Sequence, residues 1–150
     1  MQNQPIRKTI IISAPRERVW EVVLNDHYTS IWYEEFSLGA RAETTWEEGS
    51  KVVFTDVSGG GLVGQVIVNH PLEMVTVEYQ GIMHAGYEEY DSEDAQEVKG
   101  GRETYTLTGI DDLTELIVET DIPPALFESM SMAWERALRK IKKLSEEPLS

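Results

Sequence analysis

The stretch PPALFESMSMAWERALRKIKKL, residues 123–144, decides how this sequence is expected to fold. Its apolar residues recur at spacings of three and four and so form one stripe along a helix, while the charged residues fall off that stripe. Two prolines at the start suit the first turn of a helix, where backbone amides have no intrahelical partner. The stripe consists of Phe127, Met130, Trp134, Leu138, Ile141 and Leu144. We therefore predict a long amphipathic helix over 123–144.

The region from residue 36 to residue 120 is dominated by period-two alternation, which is typical of strands with one buried face. A β-rich run at 6–13, a helix at 15–24 and a shorter helix within 25–32 precede it. Glycine and proline turns at 59–61 and 69–71 divide the alternating sets, and a polar loop follows. The sets are Phe36/Leu38/Ala40/Ala42, Val52/Phe54, Val66/Val68, Val75/Val77/Tyr79, Tyr105/Leu107 and Leu116/Val118. The predicted order is a strand, two helices, about six strands and the long helix.

Length and composition narrow the class of protein. The 150 residues contain no repeat or linker, so we expect one domain over 1–150. The absence of cysteine excludes disulfides and fits a reducing cytoplasm, and the N-terminal residues show no secretion signal. No apolar run approaches the ~20 residues that cross a bilayer. The net charge of −14 argues against binding nucleic acid.

Several short motifs do not carry the chemistry that they suggest. Residues 59–64 match G-x-G-x-x-G, but a strand pattern follows where a dinucleotide site needs a helix. In the acidic stretch 88–97, calcium-loop spacing counted from Asp91 places Gln96 and Arg102 where Gly and Glu are needed. The three histidines are too far apart for a zinc motif. We therefore expect no metal, no cofactor and no catalytic nucleophile.

Several short motifs occur in the order that is typical of the START-like (SRPBCC) superfamily, so the sequence resembles that superfamily. More narrowly, it is similar to the activator of heat-shock-protein-90 ATPase homologue family. The motifs are Ala14-Pro15 followed by Val19-Trp20, Tyr28-x-x-x-Trp32, Trp46-x-x-Gly49, Val52-x-Phe54, Gly64-x-Val66, Pro71 followed by Tyr79, and Trp134. They span nearly the whole chain. Tyr79 stands where many relatives have Trp, which affects the expected shape of the pocket.

The resemblance implies an α+β helix-grip fold, similar to the birch-pollen allergen, in which a curved antiparallel sheet grips the long C-terminal helix over a cavity. It also implies an apolar or amphipathic ligand such as a lipid or a polyketide. The family supplies no shared catalytic residue. Alternate residues of the strands and the apolar stripe of the helix are expected to face one another, and these positions predict the ligand-binding residues. His84 is added because it is expected at the mouth of the cavity. They are Phe54, Val66, Tyr79, His84, Tyr105, Phe127, Met130 and Trp134. Trp20 and Trp32 are predicted to pack the small helices against the sheet.

Three functions remain open from the sequence. The first is noncatalytic binding of an apolar small molecule. The second is a cyclase or hydrolase that uses the same cavity, for which the candidate titratable groups are His84, the tyrosines, Asp56 and Glu78. The third is a protein-interaction role such as chaperone stimulation, which the family name alone suggests. Met132 lies on the outward side of the predicted helix and suggests weak homodimerisation.

Overall fold

The computed structural model describes residues 4–148. Eight strands form one antiparallel sheet: β1 (Gln4–Ile12), β2 (Arg41–Glu43), β3 (Lys51–Thr55), β4 (Gly61–His70), β5 (Met74–His84), β6 (Tyr87–Glu89), β7 (Arg102–Ile110) and β8 (Leu113–Ile122). Their spatial order is β1-β8-β7-β5-β4-β3-β2, and β6 pairs with β5. Register shifts interrupt the pairing of β4 with β5 at Val63/Gly64 and at Val66/Val68. Such irregularities increase the local twist and help a sheet to curve.

Within residues 4–148, four α-helices accompany the sheet: α1 (Arg16–Leu24), α2 (Asp26–Trp32), α3 (Glu93–Val98) and α4 (Phe127–Glu146). The α4 helix packs against β1, α1 and α2. Its buried side chains include Trp134, Leu138 and Ile141, which belong to the predicted stripe. The inner sides of the strands complete the core with residues such as Val77 and Val118. The predicted helix-grip fold, a curled antiparallel sheet around a long C-terminal helix, is confirmed.

Ion pairs fix α4 at its sides. Lys8 on β1 lies 3.0 Å from Glu135, and Glu35 lies 3.1 Å from both Arg136 and Lys140. These groups are partly or largely exposed, so each pair adds little to stability. They connect the helix that forms one wall of the inner space to β1 and to the turn after α2.

Two predicted boundaries are wrong. Alternation at 36–42 predicts a strand, but only Arg41–Glu43 is one, because the chain turns at Gly39 with a φ of +70° and the ring of Phe36 packs on Trp134. The long helix begins at Phe127 rather than at residue 123. A short 3₁₀ turn, Pro124–Leu126, holds the second proline instead.

The polar loop after β6 contains an unpredicted helix, α3. The side chain of Ser92 accepts a hydrogen bond from the backbone amide of Ala95 at 3.2 Å, and Ala95 is buried. A serine in that place is a favourable helix N-cap. In contrast, the glycine run at 59–61 leads into β4 as predicted. No helix of residues 4–148 has the length and apolar character needed to cross a membrane.

A candidate binding cavity between the sheet and the long helix

A cavity of about 180 Å³ lies between the inner face of the sheet and α4. Its walls come from α2, the segment 33–41, the strands β3, β4, β5, β7 and β8, the turn between β3 and β4, and α4. Apolar and aromatic side chains dominate the lining. The lining residues are Trp32, Tyr33, Phe36, Ser37, Ala40, Arg41, Phe54, Thr55, Asp56, Gly60, Gly61, Leu62, Tyr79, Glu103, Tyr105, Thr120, Ile122, Met130 and Trp134.

Aromatic rings in contact with one another form much of the wall. The ring centroid of Trp134 lies 5.9 Å from those of Trp32 and Tyr105, and 4.8 Å from that of Phe36. On the other side, Tyr33 lies 6.2 Å from Phe54. Most of these pairs are edge-to-face, an arrangement that suits the ring quadrupoles. The rings of this wall therefore pack against one another as well as facing the cavity.

Glu103 is the buried carboxyl of the cavity. It lies on β7, where alternate residues Glu103, Tyr105 and Leu107 face inward, and its relative exposure is 9 %. Burial away from water raises its pKa from 4.5 to about 7, although hydrogen bonds from Tyr105 and Tyr79 act in the opposite direction. A carboxyl with such a pKa exchanges its proton near neutral pH, which makes it a candidate functional group.

The tyrosines around Glu103 stay protonated. Burial raises the pKa of Tyr33, Tyr79 and Tyr105 well above 10, and the nearby Glu103 charge raises it further in each case. The Tyr79 hydroxyl also lies 3.5 Å from the Thr120 hydroxyl of β8. The inner part of the cavity therefore combines one titratable carboxyl with neutral hydroxyl groups.

The outer part of the cavity carries the other charged lining residues, Arg41 and Asp56. Arg41 is exposed and lies 3.6 Å from Glu43. The Ser58 hydroxyl donates to Asp56, and this hydrogen bond lowers the pKa of the Asp56 carboxyl. Asp56 is therefore ionised near neutral pH and differs from Glu103 in its behaviour.

The structure brings five of the eight predicted ligand-binding residues together: Phe54, Tyr79, Tyr105, Met130 and Trp134 line the cavity. Three do not line it. Val66 is buried in the core, His84 is exposed where β5 pairs with β6, and Phe127 packs against the core. Glu78, a predicted candidate for enzyme chemistry, faces away and pairs with Arg102 at 3.2 Å.

Other lining residues were not predicted. Trp32 is predicted to pack α2 against the sheet rather than to meet a ligand, and it also forms part of the cavity wall. Glu103 was missed although alternation with Tyr105 and Leu107 places it on the inner face. Among residues 4–148 no group of three His, Cys, Asp or Glu side chains is placed to hold a metal ion.

A sequence model of the family described as "Activator of Hsp90 ATPase homolog 1-like protein" matches residues 13–146. The chain belongs to this family. The family resemblance that the short sequence motifs indicate is thus confirmed. A search among curated proteins gives no significant match.

Solved structures share the fold of this chain at low sequence identity. Protein MLL2253 from Mesorhizobium loti is 18% identical, with 94% of this chain and 96% of that chain covered and a TM-score of 0.74. The Aha1 dimer from Colwellia psychrerythraea is 15% identical over 95% and 96% of the chains, with a TM-score of 0.73. CalU16 from Micromonospora echinospora is 15% identical over 96% and 77%, with a TM-score of 0.67. Such likeness supports a common fold and carries no function across.

Proposed function

We propose that this protein binds a small apolar or amphipathic molecule in the cavity between the sheet and α4. The observation that carries the proposal is a space of about 180 Å³ whose wall includes seven aromatic side chains. Apolar groups that line a void have no atoms to contact on one side and so lose dispersion energy. A ligand of matching shape restores those contacts. A mostly apolar pocket with a few polar groups is the usual form of a small-molecule site.

The volume sets the size of the ligand. A cavity of about 150 Å³ is enough to take up benzene, whereas sites for drug-sized molecules begin at about 300 Å³. The 180 Å³ found here suits one ring with a short substituent. A whole lipid or polyketide would need additional space, so among the predicted ligand classes we favour the smallest molecules.

Exchanging one methionine for tryptophan tests this proposal. Met130 lines the cavity, whereas Met132, two positions along the same helix, is 54% exposed. Tryptophan at position 130 should fill the space, and the same change at position 132 should leave it open. We expect ethylbenzene to raise the melting temperature of wild type and Met132→Trp, because a ligand that binds the native state stabilises it.

In Met130→Trp that rise in melting temperature should disappear while the unliganded protein still unfolds cooperatively. An equal rise in all three proteins would show that ethylbenzene binds elsewhere. No rise in any of them would contradict the proposed binding of small apolar molecules.

An enzymatic role is the second candidate, and Glu103 is the observation that favours it. General acid–base catalysis works best when the pKa of the group is close to the working pH, and the pKa of Glu103 is about 7. Mass spectrometry of molecules that copurify from the native host tests this role. A bound molecule recovered chemically altered after incubation with the protein supports catalysis, and one recovered unaltered supports binding alone.

Protein binding is a third candidate, favoured by family membership and by exposed apolar side chains. Leu38, Val57 and Tyr87 are each more than two-thirds exposed, and one related structure is a dimer. Sedimentation over a range of concentrations tests self-association, with Met132→Glu expected to weaken any dimer in which α4 takes part. An Hsp90 ATPase assay with and without the protein tests chaperone stimulation.

A further inference from the structure

Glu103 is a buried carboxyl whose surroundings supply no positive charge. The influences on its pKa are burial and two tyrosine hydrogen bonds, with no contribution from any Lys, Arg or His of residues 4–148. Buried carboxylates are normally paired, since an unpaired charge away from water is costly. A cation beside Glu103 would offset the cost of its charged form beyond what the tyrosine hydrogen bonds supply, and the cavity that it lines has room for one.

The aromatic wall suits the same kind of ligand. Trp32, Trp134 and Tyr105 are in mutual ring contact, and Phe36 and Tyr33 extend the cluster. The faces of such rings attract ammonium groups, and this attraction strengthens when water is excluded. Aromatic rings beside a carboxyl can therefore replace part of the hydration that a cation loses on entry.

The net negative charge of the chain also favours a cationic ligand. The chain carries a net charge of −14, which raises the local concentration of cations and lowers that of anions. Arg41, the one cationic residue of the lining, is exposed and paired with Glu43. No cationic side chain of the lining thus opposes a positive ligand at the inner part of the cavity.

We propose that the ligand is a small organic cation, an aromatic or short alkyl molecule with one ammonium group that meets Glu103 while the aromatic rings enclose its apolar part. This inference rests on the proposed function, because it names the ligand class of the same cavity. A neutral molecule of equal size would bind more weakly, since it brings no positive charge to the Glu103 carboxylate.

Three probes that differ in a single heavy atom test the inference: benzylammonium, benzyl alcohol and ethylbenzene. Their dissociation constants would be measured by NMR titration with wild type, Glu103→Gln and Glu115→Gln. Glu115 lies on β8 with its side chain on the outer face of the sheet, between inward-facing Thr114 and Leu116. Its replacement makes the same chemical change as Glu103→Gln, from a carboxyl to an amide, at a residue that does not line the cavity.

We expect wild type and Glu115→Gln to bind benzylammonium at least about tenfold more tightly than ethylbenzene, a difference that corresponds to ~1.4 kcal/mol. Glu103→Gln should lose that preference. Equal affinities in wild type would overturn the inference and leave the proposed function standing. Tightest binding of benzyl alcohol, or a preference that survives in Glu103→Gln, would also overturn it. Failure of every probe to bind would refute both proposals.

Wild-type protein supplies a second readout that needs no variant. The titratable groups facing Glu103 are the hydroxyls of Tyr79 on β5, Tyr105 on its own strand and Tyr33 beside α2, and all three have a raised pKa. The α4 side chains at the cavity, Met130 and Trp134, do not titrate.

Benzylammonium keeps its charge between about pH 6 and about pH 8, so its affinity should follow the ionised fraction of Glu103. With a pKa of about 7, that affinity should rise about tenfold across this range. The affinity of ethylbenzene should not rise with it. A benzylammonium affinity that stays constant with pH would contradict pairing with Glu103.

Discussion

The carboxyl of Glu103 lies among tyrosines on the inner face of the sheet, where its charged form is poorly solvated. Its pKa is about 7 in the folded protein, against an ordinary value of 4.5. Below about pH 4.5 both folded and unfolded chains carry the proton, and between the two pKa values only the folded chain keeps it. The stability that this proton contributes is therefore fully present in acid and is lost as pH rises through about 7.

Replacing Glu103 by glutamine should remove this pH dependence, because glutamine has a similar shape and does not ionise. From about pH 5 to about pH 8, wild type should lose up to ~3 kcal/mol of unfolding free energy relative to Glu103→Gln, at ~1.4 kcal/mol for each pH unit between the two pKa values. Urea denaturation at both pH values measures the difference. Glu115→Gln serves as control and should follow wild type. A Glu103→Gln curve parallel to wild type would show that Glu103 is ionised in both states.

Single residues also show how far the sequence could predict the cavity. Period-two alternation places Tyr79, Tyr105 and Val66 correctly on the inner face. It does not distinguish the part of that face that packs solidly, as at Val66, from the part that borders a void, because this depends on the curvature of the whole sheet. Glu103 follows the same alternation, but a lone charged residue in a strand is usually exposed, so alternation alone does not predict its inward position.

At the scale of elements, the pairing of β4 with β5 depends on a close approach at Gly64. A Cβ atom there would lie 2.7 Å from Cγ1 of Val77 and 2.8 Å from the carbonyl oxygen of Glu78. The backbone of Gly64 is aligned with Tyr79, which lines the cavity. The glycine thus links strand pairing to the shape of the cavity wall.

Gly64→Ala should destabilise the protein by about 1–3 kcal/mol, since the crowded sheet must shift to admit a methyl group. Chemical denaturation measures the loss, and NMR shifts of Tyr79 should report the displaced wall. Gly109→Ala on β7 is the matched control. Its Cβ would meet no atom nearer than 3.4 Å, on the side chain of Arg16, so we expect a change within about 0.5 kcal/mol. Equal stability of the two variants would mean that β4 and β5 separate at no cost.

Helices and strands are predictable where a single hydrophobic period extends over many residues. The stripe of α4 and the alternation in β5, β7 and β8 each extend over many residues and were placed nearly correctly. Short elements depend on local details instead. The six-residue helix α3 is set by the Ser92 cap and the burial of Ala95, and the segment after Glu35 alternates by chance while its course follows aromatic packing against α4.

At the scale of the whole molecule, the dominant feature is an excess of acidic over basic residues, 27 against 13. Several carboxylates are paired, and the pKa of Glu35, Glu88, Glu135 and Glu146 is lowered by hydrogen bonds to lysine neighbours. Acidic residues exceed basic ones by 14, so the negative charges cannot all be matched one to one. The single domain over 1–150 and the cytoplasmic location remain predictions.

Salt should therefore stabilise this protein. Repulsion that arises from the net negative charge opposes the compact state, and added ions screen it over a Debye length that falls to ~10 Å at 0.1 M salt. We expect the melting temperature at neutral pH to rise by a few degrees on adding sodium chloride and to level off by about 0.3 M. Potassium chloride at the same ionic strength should have the same effect if screening is the cause. A continued linear rise would indicate strengthened apolar burial instead, and a fall would mean that attraction within ion pairs exceeds the repulsion of the net charge.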